Sequence, residues 1–437
     1  MKRRIDGYLQ EWRRAPRRRS LLVRGARQVG KTYSVRELGK TFEHYIEVNF
    51  EETPSVGTIF NQSLSPKPIV EWLTAYAATP IVPGETLLFF DEVQACSKAL
   101  SSLRFFHEKM PELHVVAAGS LLEFALAQIP SQGVGRIESL FMYPMTFSEF
   151  AEAQDLGGLL EFVDRAGPDA PLDPAFHGRL LDRMRMYQLT GGLPAVVQTY
   201  LDTGDLNACM DVLDDLITTF EDDFNKYRAR VPASRLTEVF RSIPHQTGGK
   251  FTYAGVDSAA QGREIKVALE LLIKAGLVHK VTHTAARGLP LGADAKPRRF
   301  KALLFDVGIY QRLLGLDVPA HVVADDMEFV NKGHLAELVA GLELLAHAKP
   351  RRRPALHYWH REKRGSSAEV DYVIRQGDQV VPVEVKAGSA GRMRSMHMFL
   401  EERNLPRGIR VCAENFSRYG RIEVCPLYAL RRLRSPA

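Results

Sequence analysis

One octapeptide near the start of the chain has the residue types and spacing to cradle phosphate. Gly25-Ala26-Arg27-Gln28-Val29-Gly30-Lys31-Thr32 fits the pattern GxxxxGK[ST]. Glycines at its ends let backbone N–H groups turn inward on an anion, and the start of the next helix adds partial positive charge. Lys31 is placed to bridge the β- and γ-phosphates of a nucleotide, and the Thr32 hydroxyl to bind Mg²⁺. Gln28, Val29 and Tyr33 complete the expected nucleotide-binding set with Gly25 and Gly30. A second segment, Leu87-Leu88-Phe89-Phe90-Asp91-Glu92, carries four apolar residues into two acids. Such a strand delivers its acids to the carboxyl edge of a sheet, where ligands of open α/β folds bind. Asp91 is expected to hold the magnesium, directly or through water, and Glu92 to orient and deprotonate the attacking water.

The second place with chemistry in it lies near the other end. Residues 368–386, AEVDYVIRQGDQVVPVEVK, fold on paper as a hairpin with Gly377-Asp378 at the turn. Gln376 then faces Gln379, Asp371 faces Glu384, and Glu369 faces Lys386. One face is wholly apolar (Val370, Tyr372, Ile374, Val381, Val383, Val385), and Glu369, Asp371, Glu384 and Lys386 lie on the other. Two acids opposed at about 5 Å repel each other. A divalent cation between them would remove that cost, and so would nearby basic groups. The Glu-x-Lys spacing alone is cheap, since Glu264-Ile265-Lys266 has it too, and a charged outer face on a hairpin is ordinary.

These groups need elements to position them. Residues 20–24 read as a buried strand, 31–40 as a helix, and residues 45–50, 86–90 and 114–118 as further strands, with a helix at 98–110 among the segments between. Strands alternating with helices over about 150 residues give a doubly wound parallel α/β sheet. Residues 150–225 turn helical and acidic, with fifteen acidic against four basic side chains over 151–223. Helices at 234–243 and 263–275, a short strand-like piece at 250–253, and an alternating strand from Gly276 suggest a winged-helix module with its wing tip at 285–299. Residues 261–274 would be its recognition helix, weakly basic through Arg263, Lys266 and Lys274; contact with DNA and mere packing between domains are both open. A last unit is expected from Glu328, with a helix at 332–346 and strands at 355–360 and 408–412.

Composition sets limits. At 437 residues the chain exceeds one core. Its four cysteines form no CxxC pair, which argues against zinc or a disulfide framework and fits a reducing cytoplasm. No apolar run is long enough to span a membrane. The net charge of +6 is uneven: residues 1–20 hold eight basic and two acidic groups, and basic clusters recur at 296–301, 351–353, 361–364 and 431–434. Each cluster alone is ordinary solvated surface; together they lean toward nucleic acid.

With its phosphate loop and acidic strand, the chain resembles the AAA+ superfamily of P-loop ATPases. The strand His114–Ala118 ends in Gly119-Ser120, where that superfamily places a polar sensor of the γ-phosphate, so the resemblance gives Ser120 that role. Gly135-Arg136 and the run Leu140–Phe150 resemble a branch that joins an AAA-type ATPase to a C-terminal domain of largely uncharacterised function. There Arg136 would sense phosphate or act as a finger, in its own subunit or a neighbour's, with a surface ion pair as the competing reading. Gly191-Gly192-Leu193-Pro194 resembles a helical-lid motif that brings Pro194 toward nucleotide, although by itself the segment is also a plain helix-ending turn. The C-terminal hairpin resembles PD-(D/E)XK nucleases. By that resemblance Asp371 and Glu384 hold Mg²⁺, Lys386 activates water, and Glu337 on the preceding helix adds a ligand, although Glu-Val-Asp stands where Pro-Asp is usual. The resemblance implies an ATPase core at 1–150, a helical lid at 151–230, a winged-helix module and linker at 231–327, and a restriction-endonuclease-like α/β domain at 328–437. The implied function is ATP binding and hydrolysis with DNA as partner and a nuclease-like C-terminal domain; the alternative is a nucleotide-gated signalling or DNA-binding switch that does not cut. An oligomer or a partner protein would fit either.

Overall fold

The computed structural model describes residues 1–120, 122, 126, 135–227, 230–257, 262–317, 332–363, 365–388 and 393–433. Gln261, Glu328, Arg364 and Arg434 of the expectations above, and the 327/328 boundary, lie outside the described residues. The chain divides into two units, Met1–Tyr143 with Lys349–Arg353, and Pro144–Ala348 with Pro354–Ala437.

The first unit is built on strands β1 (Ser20–Arg24), β2 (His44–Asn49), β3 (Thr86–Asp91), β4 (His114–Gly119) and β5 (Ile137–Phe141). They form one sheet in the order β2-β3-β4-β1-β5, with every pairing parallel. Its helices are α1 (Arg4–Arg14), α2 (Lys31–Gly39), α3 (Ile59–Gln62), α4 (Pro66–Ala77) and α5 (Ser97–Lys109). β3 and β4 are buried along their whole length, which is why both read as unbroken apolar runs and not as alternating ones. Phe50, Phe60, Phe90 and Phe106 lock one side of the sheet through edge-to-face contacts. The register sets Arg24 beside Gly119, so β1 and β4 end together and open one carboxyl edge. The basic run at 351–353 begins in an ion pair here, Arg351 Nε to Glu138 at 2.8 Å.

The second unit starts with helices α6 (Phe147–Glu152), α7 (Gly157–Arg165), α8 (Pro174–Thr190), α9 (Pro194–Thr203), α10 (Leu206–Asp223), α11 (Ala233–Gln246) and α12 (Gly262–Ala275). Thr146 and Glu149 form a reciprocal cap at the start of α6, explaining the Thr-Phe-Ser-Glu spelling there. Next come β6 (Val278–Thr284), β7 (Ala295–Leu304), α13 (Val307–Leu313), α14 (Lys332–Ala346), β8 (Leu356–His360), β9 (Glu369–Gln376), β10 (Gln379–Val385), α15 (Arg394–Glu402), β11 (Gly408–Cys412), β12 (Ser417–Tyr419) and β13 (Ile422–Pro426). All eight strands share one mixed sheet, ordered β12-β13-β11-β10-β9-β8-β6-β7. The β6–β7 hairpin that would form a wing is thus continuous with the C-terminal strands, through the parallel pair β6–β8.

Two local expectations fail for visible reasons. Residues 250–253 make no strand: Thr252 Oγ1 accepts Gly255 N–H and curls the chain into a 3-10 turn. The expected wing-tip loop shortens because β7 begins at Ala295. A bulge follows, with His283 opposite Lys296 and Thr282 opposite Phe300, which leaves Pro297, Arg298 and Arg299 protruding. Proline has no N–H for the ladder, so the bulge falls there naturally. Among the described residues, no helix is long and apolar enough to cross a membrane.

Candidate functional site

The phosphate loop joins β1 to α2. Gln28 (φ 64°) and Gly30 (φ 93°) both take left-handed backbone, the kind of conformation in which successive N–H groups can turn toward one anion. Gly25 is required by close approach, since a Cβ there would stand 2.2 Å from the Met142 carbonyl oxygen. Lys31 is buried, and its Nζ donates to the carbonyls of Ala26 (2.6 Å) and Gly25 (3.1 Å). Burial pushes this ammonium down to about 8, against the opposing pull of Glu92 and Asp91.

Magnesium would need the Thr32 hydroxyl and an acid from β3 at one point, and the structure meets that condition: Thr32 Oγ1 donates to Asp91 Oδ2 at 2.9 Å. Burial raises the Asp91 carboxyl and the Thr32 hydrogen bond opposes the rise. A cation replacing that hydroxyl proton would find both oxygens in place, so these residues fit the ion. Asp91 Oδ1 also accepts Glu92 N–H (3.0 Å), and Glu92 is itself left-handed at φ 46°. Gln94 Nε2 donates to Glu92 Oε2 at 2.5 Å, which holds the expected base. Ser120, at the end of β4, accepts from Arg27 Nε at 3.3 Å, tying the loop to the neighbouring strand. Tyr33 is half-exposed on α2, and its hydroxyl accepts from the Met1 amino group. Arg136 forms an ion pair with Glu108, as in the competing surface reading.

Arg3 has no motif to announce it. It is buried, and it donates to the Val29 carbonyl (2.6 Å) and the Tyr143 carbonyl (2.8 Å), clamping the phosphate loop to the chain just after β5.

In the second unit, Gly191 and Gly192 are packed turn residues. Gly192 N–H donates to Asp306 Oδ2 at 2.8 Å, and a Cβ on Gly192 would stand 2.1 Å from the Met145 oxygen. Asp306 is buried at the start of α13, and burial raises its carboxyl to about 6 in spite of N–H bonds from Ile309, Gly192 and Gly308. Pro194 opens α9 directly after this turn.

The C-terminal hairpin turns at Gly377-Asp378, with Gln376 opposite Gln379, as its turn chemistry demands. Its far end departs from the paper register. The ladder stops at Tyr372–Val383, and Asp371 Oδ2 accepts Val385 N–H at 2.8 Å. Lys386, just past β10, pairs with Glu384 (2.8 Å), and Glu369 pairs with Lys301. The two faces do not stay separate: Val370 of the expected apolar face joins Val373 and Val380 in a cluster with Trp359 and Phe399, where the β8–β9 register shifts between His357–Val373 and Trp359–Val370. Burial raises the Glu384 carboxyl, and its Oε2 is buried without a partner.

Glu337 of α14 does reach this cluster, but through a residue that sequence reasoning passed over. Lys301 of β7, 1% exposed, places Nζ 2.7 Å from Glu337, 2.5 Å from Glu369 and 3.8 Å from Asp371. Desolvation alone would lower this ammonium, yet Glu337, Asp371 and Glu369 together hold it above its ordinary value. The available signal was one lysine inside the apolar run Phe300–Leu304. The acids therefore do not fit a divalent ion as they stand. Among the described residues, the group whose ligand atoms come within 4.8 Å of one another is Glu43, His44 and Glu85, around the start of β2, not Glu337, Asp371 and Glu384.

Two basic clusters distant in sequence meet beside this cluster. Lys296 and Arg299 of β7 both pair with Glu362, just beyond β8. Arg361 pairs with Glu402 at 2.5 Å. On α12, Arg263, Lys266 and Lys274 are exposed, interleaved with Glu264 and Glu270.

Residues 17–151 match the family model of the AAA domain. Residues 181–320 and 332–430 match two further family models, each described as a domain of unknown function. Among curated proteins none matches the chain. Among solved structures, a Walker-type ATPase of Pyrococcus abyssi is similar at 15% identity over 72% of this chain and 95% of that one, with a TM-score of 0.46. The Aeropyrum pernix ORC2 protein in its ADP form is similar at 14% identity, over 63% and 85%, with a TM-score of 0.29. A Thermotoga maritima RuvB variant is similar at 14% identity, over 72% and 95%, with a TM-score of 0.30.

Proposed function

We propose that the chain binds ATP with Mg²⁺ at the β1–α2 loop and hydrolyses it, with Glu92 as base. The observation that carries this reading is the meeting of Thr32 Oγ1 and Asp91 Oδ2 at 2.9 Å, at the mouth of a loop whose lysine is already turned inward. Thr32 and Asp91 would hold the ion, which would neutralise charge on the β- and γ-phosphate oxygens. The loop N–H groups bind the phosphates, and Lys31 leaves its two carbonyl partners to pair with them. Ser120 lies at the end of the strand between β1 and β3, where it would hydrogen-bond the terminal phosphate. Glu92 accepts the proton of the attacking water once Gln94 releases its Oε2. Phosphate release from ATP, with wild type beside Glu92→Gln, tests this. A fall of about 10²–10⁴-fold with nucleotide binding retained is expected, and an unchanged rate removes Glu92 from the role.

The second unit is proposed to associate with DNA along the edge where Lys296, Arg298 and Arg299 meet Arg361 and Lys363. The support is the convergence of two separate basic runs around one glutamate. Affinity for duplex DNA should fall steeply with salt, and Lys296→Ala with Arg299→Ala should reduce the log–log slope by about 2. A salt-independent affinity, or a slope untouched by the pair, counts against it. No nuclease step is assigned to Asp371, Glu384 and Lys386, because the acids do not gather as a metal site.

A further inference from the structure

The acids of the C-terminal cluster lie on separate elements, buried Glu337 on α14 and half-buried Glu369 and Asp371 on β9, and they meet around one point. Carboxylates held this close and partly withdrawn from water stay ionised together more easily if positive charge stands among them. A lysine likewise enters a protein interior as an ammonium only where acids receive it. Both conditions are met by Lys301. Its side chain runs along the sheet from β7, passes the Tyr358 ring at 5.4 Å, and ends between Glu337 and Glu369 with Asp371 at 3.8 Å. The remaining acid, Glu384, is answered by Lys386, and the other oxygen of Asp371 by the Val385 N–H. Glu384 Oε2 is buried without a partner, and Glu337, Asp371 and Glu384 are not among the described acids whose ligand atoms come within 4.8 Å of one another.

We infer that the Lys301 ammonium is the resident cation of this cluster and stands where a catalytic divalent ion would have to sit, so that these acids take up no metal and the unit cuts no phosphodiester bond. The cluster then pins β7, β9 and α14 to one another, and the neighbouring basic edge can hold a polyanion without hydrolysing it. A divalent ion brought to the same acids would meet the ammonium at short range, and their repulsion opposes its entry. This inference does not depend on the ATPase reading.

Manganese binding tests it, read as loss of the free-ion electron paramagnetic resonance signal. The full chain is used without nucleotide, with Lys31→Ala in every protein so that the phosphate loop contributes nothing. Four proteins are compared: Lys301 intact, the same with Glu384→Gln, Lys301→Met, and Lys301→Met with Glu384→Gln. The first two should titrate alike. Lys301→Met should gain a site at least about tenfold tighter than the first protein shows, and Glu384→Gln should abolish the gain. The inference is overturned if the lysine-bearing protein holds manganese in a way that Glu384→Gln weakens, or if it cuts plasmid DNA in a Glu384-dependent way. It is overturned equally if Lys301→Met, folded by circular dichroism, gains nothing. Should Lys301→Met fail to fold, the first pair decides.

Discussion

ATP affinity should depend on pH through Lys31, and the size of the effect follows from the structure. The ammonium is buried and held to about 8, well below the ordinary lysine value of 10.5. Below pH 8 it is charged and ready for phosphate; above pH 8 the nucleotide-free protein holds it neutral. Bound phosphates restore the charge, so binding draws a proton from solution wherever the free lysine has lost its own. The charged fraction falls from about nine-tenths at pH 7 to about one-tenth at pH 9 for a group titrating near 8. Affinity should therefore drop about tenfold across that range, or ~1.4 kcal/mol. Titration calorimetry in buffers of different ionisation heat reads the linked proton directly. About half a proton should be taken up at pH 8, about a tenth at pH 7 and about nine-tenths at pH 9. Lys31→Met should bind more weakly and lose this uptake. A flat affinity between pH 7 and 9, or an uptake that survives Lys31→Met, refutes the placement of this lysine beside the phosphates.

Further outcomes follow from single contacts. Arg3→Ala removes two charged hydrogen bonds to the Val29 and Tyr143 carbonyls. It should cost about 2–4 kcal/mol of stability and weaken nucleotide binding; an unchanged unfolding midpoint and unchanged affinity would show the clamp to be idle. Gly192→Ala forces a Cβ to 2.1 Å from the Met145 oxygen, where the backbone must yield, and should destabilise by about 1–3 kcal/mol in chemical denaturation. Gly178→Ala, inside α8 with open space at its Cβ, should instead gain about 0.5–1 kcal/mol. Equal effects at the two glycines would contradict the packing described.

Much of the fold was legible because its signals are local. The phosphate loop is a strand, a turn and a helix in continuous sequence, and its glycines and lysine sit there for steric and electrostatic reasons that need no distant partner. The same holds for β3 with its two terminal acids, and for the hairpin turn at Gly377-Asp378. The hairpin's far end misled for the same reason: alternation carried the pairing past Tyr372–Val383, whereas the Asp371 side chain takes up the Val385 N–H and ends the ladder.

Taken alone, the chain's order of residues determined where phosphate can be gripped, which strand brings acids to it, and that a second acidic site must be neutralised by metal or by base. Only the tertiary structure brings Lys301 to those acids. Lys301 precedes Glu337 by 36 residues, and Arg3 precedes Val29 by 26. Asp306 follows Gly192 by 114. No periodicity links such pairs. They meet because sheet order and helix packing carry distant segments to one point, and a buried charge is tolerated only where that packing has delivered its opposite.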